Sequence, residues 1–183
     1  MVKAMKKMLV CAMAAALTLG TAANASAAAA SPTTSVQPVT KSNVKASNGS
    51  KVNTSKNGTA ALRAVKKTSK KSVSVAGTVK VNGVKYTVTT INAKAFANAK
   101  KATKITLPAT IKKINKSAFT GAKKVKTIVL KGKKSITVKK GAFKGLNTKK
   151  MTIKVNKKMS KKEFAKLKKT LKKAGFKGKV KKA

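Results

Sequence analysis

The dipeptide Ala-Phe recurs at 95–96, 118–119 and 142–143, at intervals of 23 and then 24 residues. A fixed period of this length constrains the fold more than any local propensity, because it makes each unit one supersecondary piece. The three segments read "VTTINAKAFANAKK", "IKKINKSAFTGAKK" and "ITVKKGAFKGLNTKK". A β-branched residue stands five positions before each Phe: Ile91, Ile114 and Val138. Between and after the units come short alternating runs, "KITLP" with Ile105 and Leu107, "TIVLK" with Ile128 and Leu130, and "TIKV" with Ile153 and Val155. Alternation predicts half-buried strands. One unit cannot bury its own apolar face, but stacked units can. The predicted core is therefore Ile91, Phe96, Ile105, Leu107, Ile114, Phe119, Ile128, Leu130, Val138, Phe143, Ile153 and Val155, with the three Phe rings as a ladder.

Residues 105–125, "ITLPATIKKINKSAFTGAKKV", carry a recognisable pattern. The pattern I-x-L-P-x-x-I-x-x-I-x-x-x-A-F resembles that of the BspA-type leucine-rich repeat proteins. The flanking stretches from Val88 to Ala102 and from Ile128 to Leu146 match it less completely. The resemblance covers roughly residues 75–176. It implies a curved solenoid with a parallel sheet on one face, on exported surface proteins associated with adhesion. The chain departs from the family pattern in its few repeats and in Ala99 and Ala122, which stand where Cys or Asn is usual. It departs also at Ser135, which replaces the Val88 and Ile111 of earlier units. The expected fold class is an α/β repeat solenoid: a short right-handed leucine-rich-repeat coil over 74–158 with a parallel sheet. A C-terminal amphipathic helix over 159–176 would cap it, with a basic tail at 177–183 and a disordered N-terminal region.

The N-terminus predicts a signal peptide over 1–27. Lys3, Lys6 and Lys7 precede the apolar "MLVCAMAAALTLG", and Ala25-Ser26-Ala27 offers a cleavage site near Ala27. Cys11 lies inside the apolar run and follows Val10, which opposes a lipoprotein signal. Cleavage there leaves a chain without cysteine, so disulfides and thiolate sites drop out. Residues 28–73 are rich in Ser, Thr, Asn, Ala and Lys, and predict a flexible cationic spacer. Asn48, Asn53 and Asn57 each begin an N-x-S/T triplet. "LPATI" at 107–111 is close to a sortase signal, but Ile111 replaces Gly and a strand edge at Pro108 accounts for it.

The chain has no His, and its acidic residues number one. That residue is Glu163. General acid–base work, nucleophilic triads and zinc or calcium sites all require groups that this inventory lacks. The chain is read as a non-enzyme without cofactor, metal site or small-molecule substrate. Ser160 and Glu163 instead fit a capping box, Ser160 at N-cap and Glu163 at N3, with Met159 and Phe164 placed as a hydrophobic staple. Phe164, Leu167 and Leu171 continue at helical spacing. A membrane-active cationic helix is the alternative to a cap.

Lys and Arg number 46 and the formal net charge is +45. Lysine pairs recur as Lys100-Lys101, Lys123-Lys124 and Lys149-Lys150, and outward strand positions carry Lys104, Lys131 and Lys154. Stacked repeats would turn these nine into a basic ladder, set against the plainer reading of a solvated face. The expected protein is secreted or surface-associated, a monomer, and held electrostatically on anionic cell-surface polymers, acidic glycans or membrane surfaces. Two alternatives are a non-specific nucleic-acid-binding or antimicrobial polycation, and an interaction module with a protein partner on the repeat sheet.

Overall fold

The computed structural model describes residues 37–183; the expected signal peptide and the first part of the expected spacer lie outside the described residues. The chain first makes an antiparallel meander of β1 (Lys41–Lys45), β2 (Lys51–Thr54) and β3 (Thr59–Ala64). β4 (Ser72–Ser74) follows. β5 (Thr78–Val81) and β6 (Val84–Ile91) form a hairpin whose turn is Asn82-Gly83, both at positive φ. An Asn-Gly pair with two left-handed residues is the turn that matches strand twist.

From β6 onward the chain alternates between two sheets. β7 (Lys104–Leu107), β9 (Thr127–Leu130) and β11 (Thr152–Val155) pair parallel in one. The two-residue strands β8 (Lys113–Ile114) and β10 (Thr137–Val138) extend β6 in the other. The five-stranded sheet runs β12-β11-β9-β7-β4, and the seven-stranded sheet runs β1-β2-β3-β6-β8-β10 with β5 beside β6. Helix α1 (Lys161–Lys173) and β12 (Lys179–Lys182) complete the chain.

The registers follow the repeat. Ile105 lies beside Ile128 and Ile128 beside Ile153; Leu107, Leu130 and Val155 form the next column. Ile91, Ile114 and Val138 form a third column in the other sheet. Each repeat turns toward its Phe through a residue at positive φ, Lys94, Ser117 and then Gly141. The backbone amides of Lys94 and Ser117 donate to the carbonyls of Ser117 and Gly141, one repeat on. Asn115 likewise donates from its side-chain amide to Asn92 at 2.8 Å. All twelve core positions named from the sequence are buried, within one contiguous cluster fed by both sheets. The Phe96 and Phe119 rings stack at 5.1 Å and 5°, and Phe119 and Phe143 at 5.4 Å and 2°. Phe176 closes the ladder 5.3 Å from Phe143 and tilted by 53°.

Two expectations are corrected. Residues 41–45, 51–54, 59–64 and 72–74 of the supposed flexible spacer are strands, with Val52, Ala60, Leu62 and Val73 buried. The segment is too poor in apolar residues to form a core alone, but its few are set on one face and join the repeat core. The supposed tail 177–183 contains β12, which pairs with β11 residue for residue from Lys179 to Lys182.

Candidate functional site

The lysine ladder exists in part. Lys100-Lys101 and Lys123-Lys124 occupy the same turn, four and five residues after Phe96 and Phe119, and all four are exposed. Lys149-Lys150 fall six and seven residues after Phe143, in a 3₁₀ turn over Thr148–Lys150. The third repeat is longer here, and its turn buries Thr148 where the earlier repeats expose Lys101 and Lys124. The third pair is therefore out of register. Lys104 opens β7 beside Thr127 of β9, Lys131 follows β9, and Lys154 lies beside Val129 and Lys181. These three do not form one column.

Charge instead concentrates at the C-terminal end. Fourteen lysines lie between Lys154 and Lys182. Strand β12 sets Lys181 beside Lys154, and Lys179 beside Thr152, at the sheet edge. Helix α1 buries Leu167 and Leu171 and turns its lysines outward. A cleft of about 710 Å³ between α1 and β12 is lined by Lys168, Lys169, Lys172 and Lys177 over Leu171 and Phe176. Of these lysines only Lys154 was singled out from the sequence, because a helix read as a cap and a segment read as a tail suggested no surface. The signal that was available is the alternation "KGKVKK" following the last Phe.

Glu163 is fixed differently from the capping-box expectation. The Ser160 hydroxyl accepts from the Glu163 amide at 3.2 Å, so Ser160 is the N-cap. The carboxylate, however, accepts from the backbone amide of Ser135 at 2.5 Å. Hydrogen bonds from the Ser135 amide and hydroxyl hold the Glu163 pKa below its ordinary 4.5, with Lys166 and Lys134 adding to the effect and desolvation opposing it. Ser135 is the position where the third repeat departs from the Val88 and Ile111 of the earlier ones. The lone acid thus ties the start of the helix to the irregular repeat. The Lys182 ammonium donates to the Met159 carbonyl at 2.6 Å and stands 5.6 Å from the Phe164 ring, so β12 is tied to the same helix start.

Chemically the surface offers ammonium groups and hydroxyls. Among the described residues no three His, Cys, Asp or Glu side chains cluster as metal ligands. No helix among them is long and apolar enough to cross a membrane. The N-x-S/T triplets serve turns and strands. The Asn48 side chain accepts from the Ser50 amide, Asn57 from the Thr59 amide, and Asn53 from the Asn43 amide.

The family described as "BspA type Leucine rich repeat region" matches residues 80–182 in six copies. Two solved structures are similar. One is a leucine rich cell surface protein from Faecalibacterium prausnitzii A2-165, 17% identical with a TM-score of 0.49, over 64% of this chain and 30% of that one. The other is a leucine-rich repeat protein from Bacteroides capillosus, 21% identical with a TM-score of 0.51, over 64% of this chain and 87% of that one. The match spans less than a third of the Faecalibacterium protein. No curated protein matches the sequence.

Proposed function

Because the chain belongs to the BspA-type leucine-rich repeat family, we propose that it is an exported, non-enzymatic surface protein held on anionic polymers by its lysines. Its repeats would wind as a short right-handed solenoid, a reading supported by the parallel registers and the stacked Phe rings. The observation that carries the binding reading is the C-terminal concentration of lysines. The only side-chain carboxylate in the chain lies beside Ser135, Lys134 and Lys166, so nearly all of these ammonium groups have no side-chain carboxylate to pair with. Their counterions are available for exchange against a polyanion, which makes binding strong at low salt and steeply salt-dependent. Lysines act as point charges and not as planar forks, so the ligand class is phosphate- or carboxylate-bearing polymer in general. The expected signal peptide over residues 1–27, ahead of the repeats, supports export.

The test is fractionation of the native host with a salt wash. The protein should sit on the cell surface and be released as salt is raised. Protein that stays bound at high salt would sink the electrostatic reading. In vitro, neutralising Lys168, Lys169 and Lys172 to Gln should flatten the salt dependence of binding to purified wall polymer. Neutralising Lys100, Lys101 and Lys123 should do so less.

A further inference from the structure

The five-stranded sheet has two end strands, and they differ. β12 ends it with "KVKK", a lysine-bearing edge of the kind that resists pairing. β4 ends it with "SVS", short side chains and no charge, and among the described residues it pairs with β7 alone. Val73 of β4 is 7% exposed where its column partners Ile105, Ile128 and Ile153 are at 0%, 1% and 1%. A cleft of about 770 Å³ opens beside this edge. Its floor includes Leu62, Val65, Val73 and Val79, and Lys66, Lys67 and Lys70 stand around it. The loop that carries those lysines is already fixed, since the Val65 amide donates to Ala95 at 2.9 Å and that of Thr68 to Asn98 at 3.4 Å.

We propose that this cleft and the β4 edge form a docking site for an extended acidic peptide, which adds as a sixth strand. The β4 main chain would supply the ladder, the apolar floor would take alternate side chains, and Lys66, Lys67 and Lys70 would take the carboxylates between them. At about 3.3 Å per residue, an edge the length of β4 and its flanks holds four or so residues. Charge complementarity selects the occupant. No segment of this chain supplies it, because its one acidic residue is bonded to Ser135. A second copy offering β12 would set lysines against Lys70 and Lys71, which is repulsive. The partner is thus another molecule. The site is separate from the C-terminal lysines, and the two can fail independently.

The probe is a blocked, fluorescein-labelled peptide of alternating Glu and Val, titrated into the full chain. A peptide of alternating Glu and Gly with the same charge is the comparator. At about 0.5 M salt, where screening acts within a few ångströms, the Val peptide should bind at least about tenfold tighter than the Gly peptide, because only it fills the apolar floor. Hydrogen exchange should slow at residues 72–76 when it binds. The combined K66E, K67E and K70E variant should lose at least about tenfold in affinity, while K168E, K169E and K172E together should change it less than about twofold, since only the first set lines the cleft. Equal binding of the two peptides, equal losses in the two variants, or protection elsewhere would overturn the proposal. Self-association that blocks the peptide would do the same, as would peptide binding that requires removal of residues 28–36. If a charge-reversed variant fails to fold, the exchange footprint on the unaltered chain decides.

Discussion

At the scale of single residues, Glu163 and Ser117 do the most specific work. Glu163 has a lowered pKa because its ionised form accepts from Ser135. A group whose folded pKa lies below its unfolded value stabilises the fold above the unfolded value, and that contribution is lost as pH falls through the folded one. Urea midpoints should therefore show Glu163→Gln as less stable than the parent at neutral pH. The gap should close well below pH 4.5, where the parent is protonated too. A gap that stays constant with pH would mean the charge is irrelevant. Ser117 sits at φ 58°, in the left-handed region, where Gly141 occupies the next repeat at φ 75°. An L side chain costs about 1–2 kcal/mol there, partly offset in glycine by chain entropy. Ser117→Gly should raise stability by up to about 1 kcal/mol, and Ser117→Val should lower it by more than that. Thermal melts of the two variants check the sign.

At the scale of elements, β12 depends on one glycine. A Cβ on Gly178 would collide with the carbonyl oxygens of Met151 and Thr148. Gly178→Ala should therefore destabilise by about 1–3 kcal/mol through overpacking, and hydrogen exchange should quicken at residues 179–182 first. Unchanged exchange there would show that the turn relaxes freely. β12 was illegible in the sequence because one Lys–Val–Lys run carries too little apolar content to read as a strand. Its partner β11, in register with it, is what makes it one. β1 to β3 were missed for a related reason: β1 buries no side chain and β2 and β3 only two each, against a core made elsewhere. A local signal did exist in the Asn-Gly pairs at 48–49, 57–58 and 82–83, all with glycine at positive φ. Two of them had drawn notice only as N-x-S/T triplets. The repeat strands and the Phe ladder were legible because period 23 recurs without interruption from Ile91 to Phe119. Phe176 was not, since α1 intervenes between it and Phe143. The lysine surface was legible as composition and not as geometry. The two-residue displacement of Lys149 and Lys150 relative to Phe143 shows in the spacing from each Phe and not in the lysine pairs themselves.

At the scale of the molecule, a charge of +45 with one carboxylate means that compaction works against repulsion among lysines. The melting temperature should rise between low and moderate salt, and rise further with polyphosphate, which neutralises the same lysines. A melting temperature flat across that range would show that the lysines are too well solvated to matter. The same stacked rings that build the core also fix how the chain could change in length. Each ring meets only the one before and the one after, and Phe176 tilts by 53° to end the series. Duplicating residues 104–126 in place would add one ring between two like it and one strand, of about 4.8 Å width, to each sheet. Neither the β4 end nor the β12 end would need to change. The molecule is in that sense a ruler, whose reach is set by how many middle units are copied.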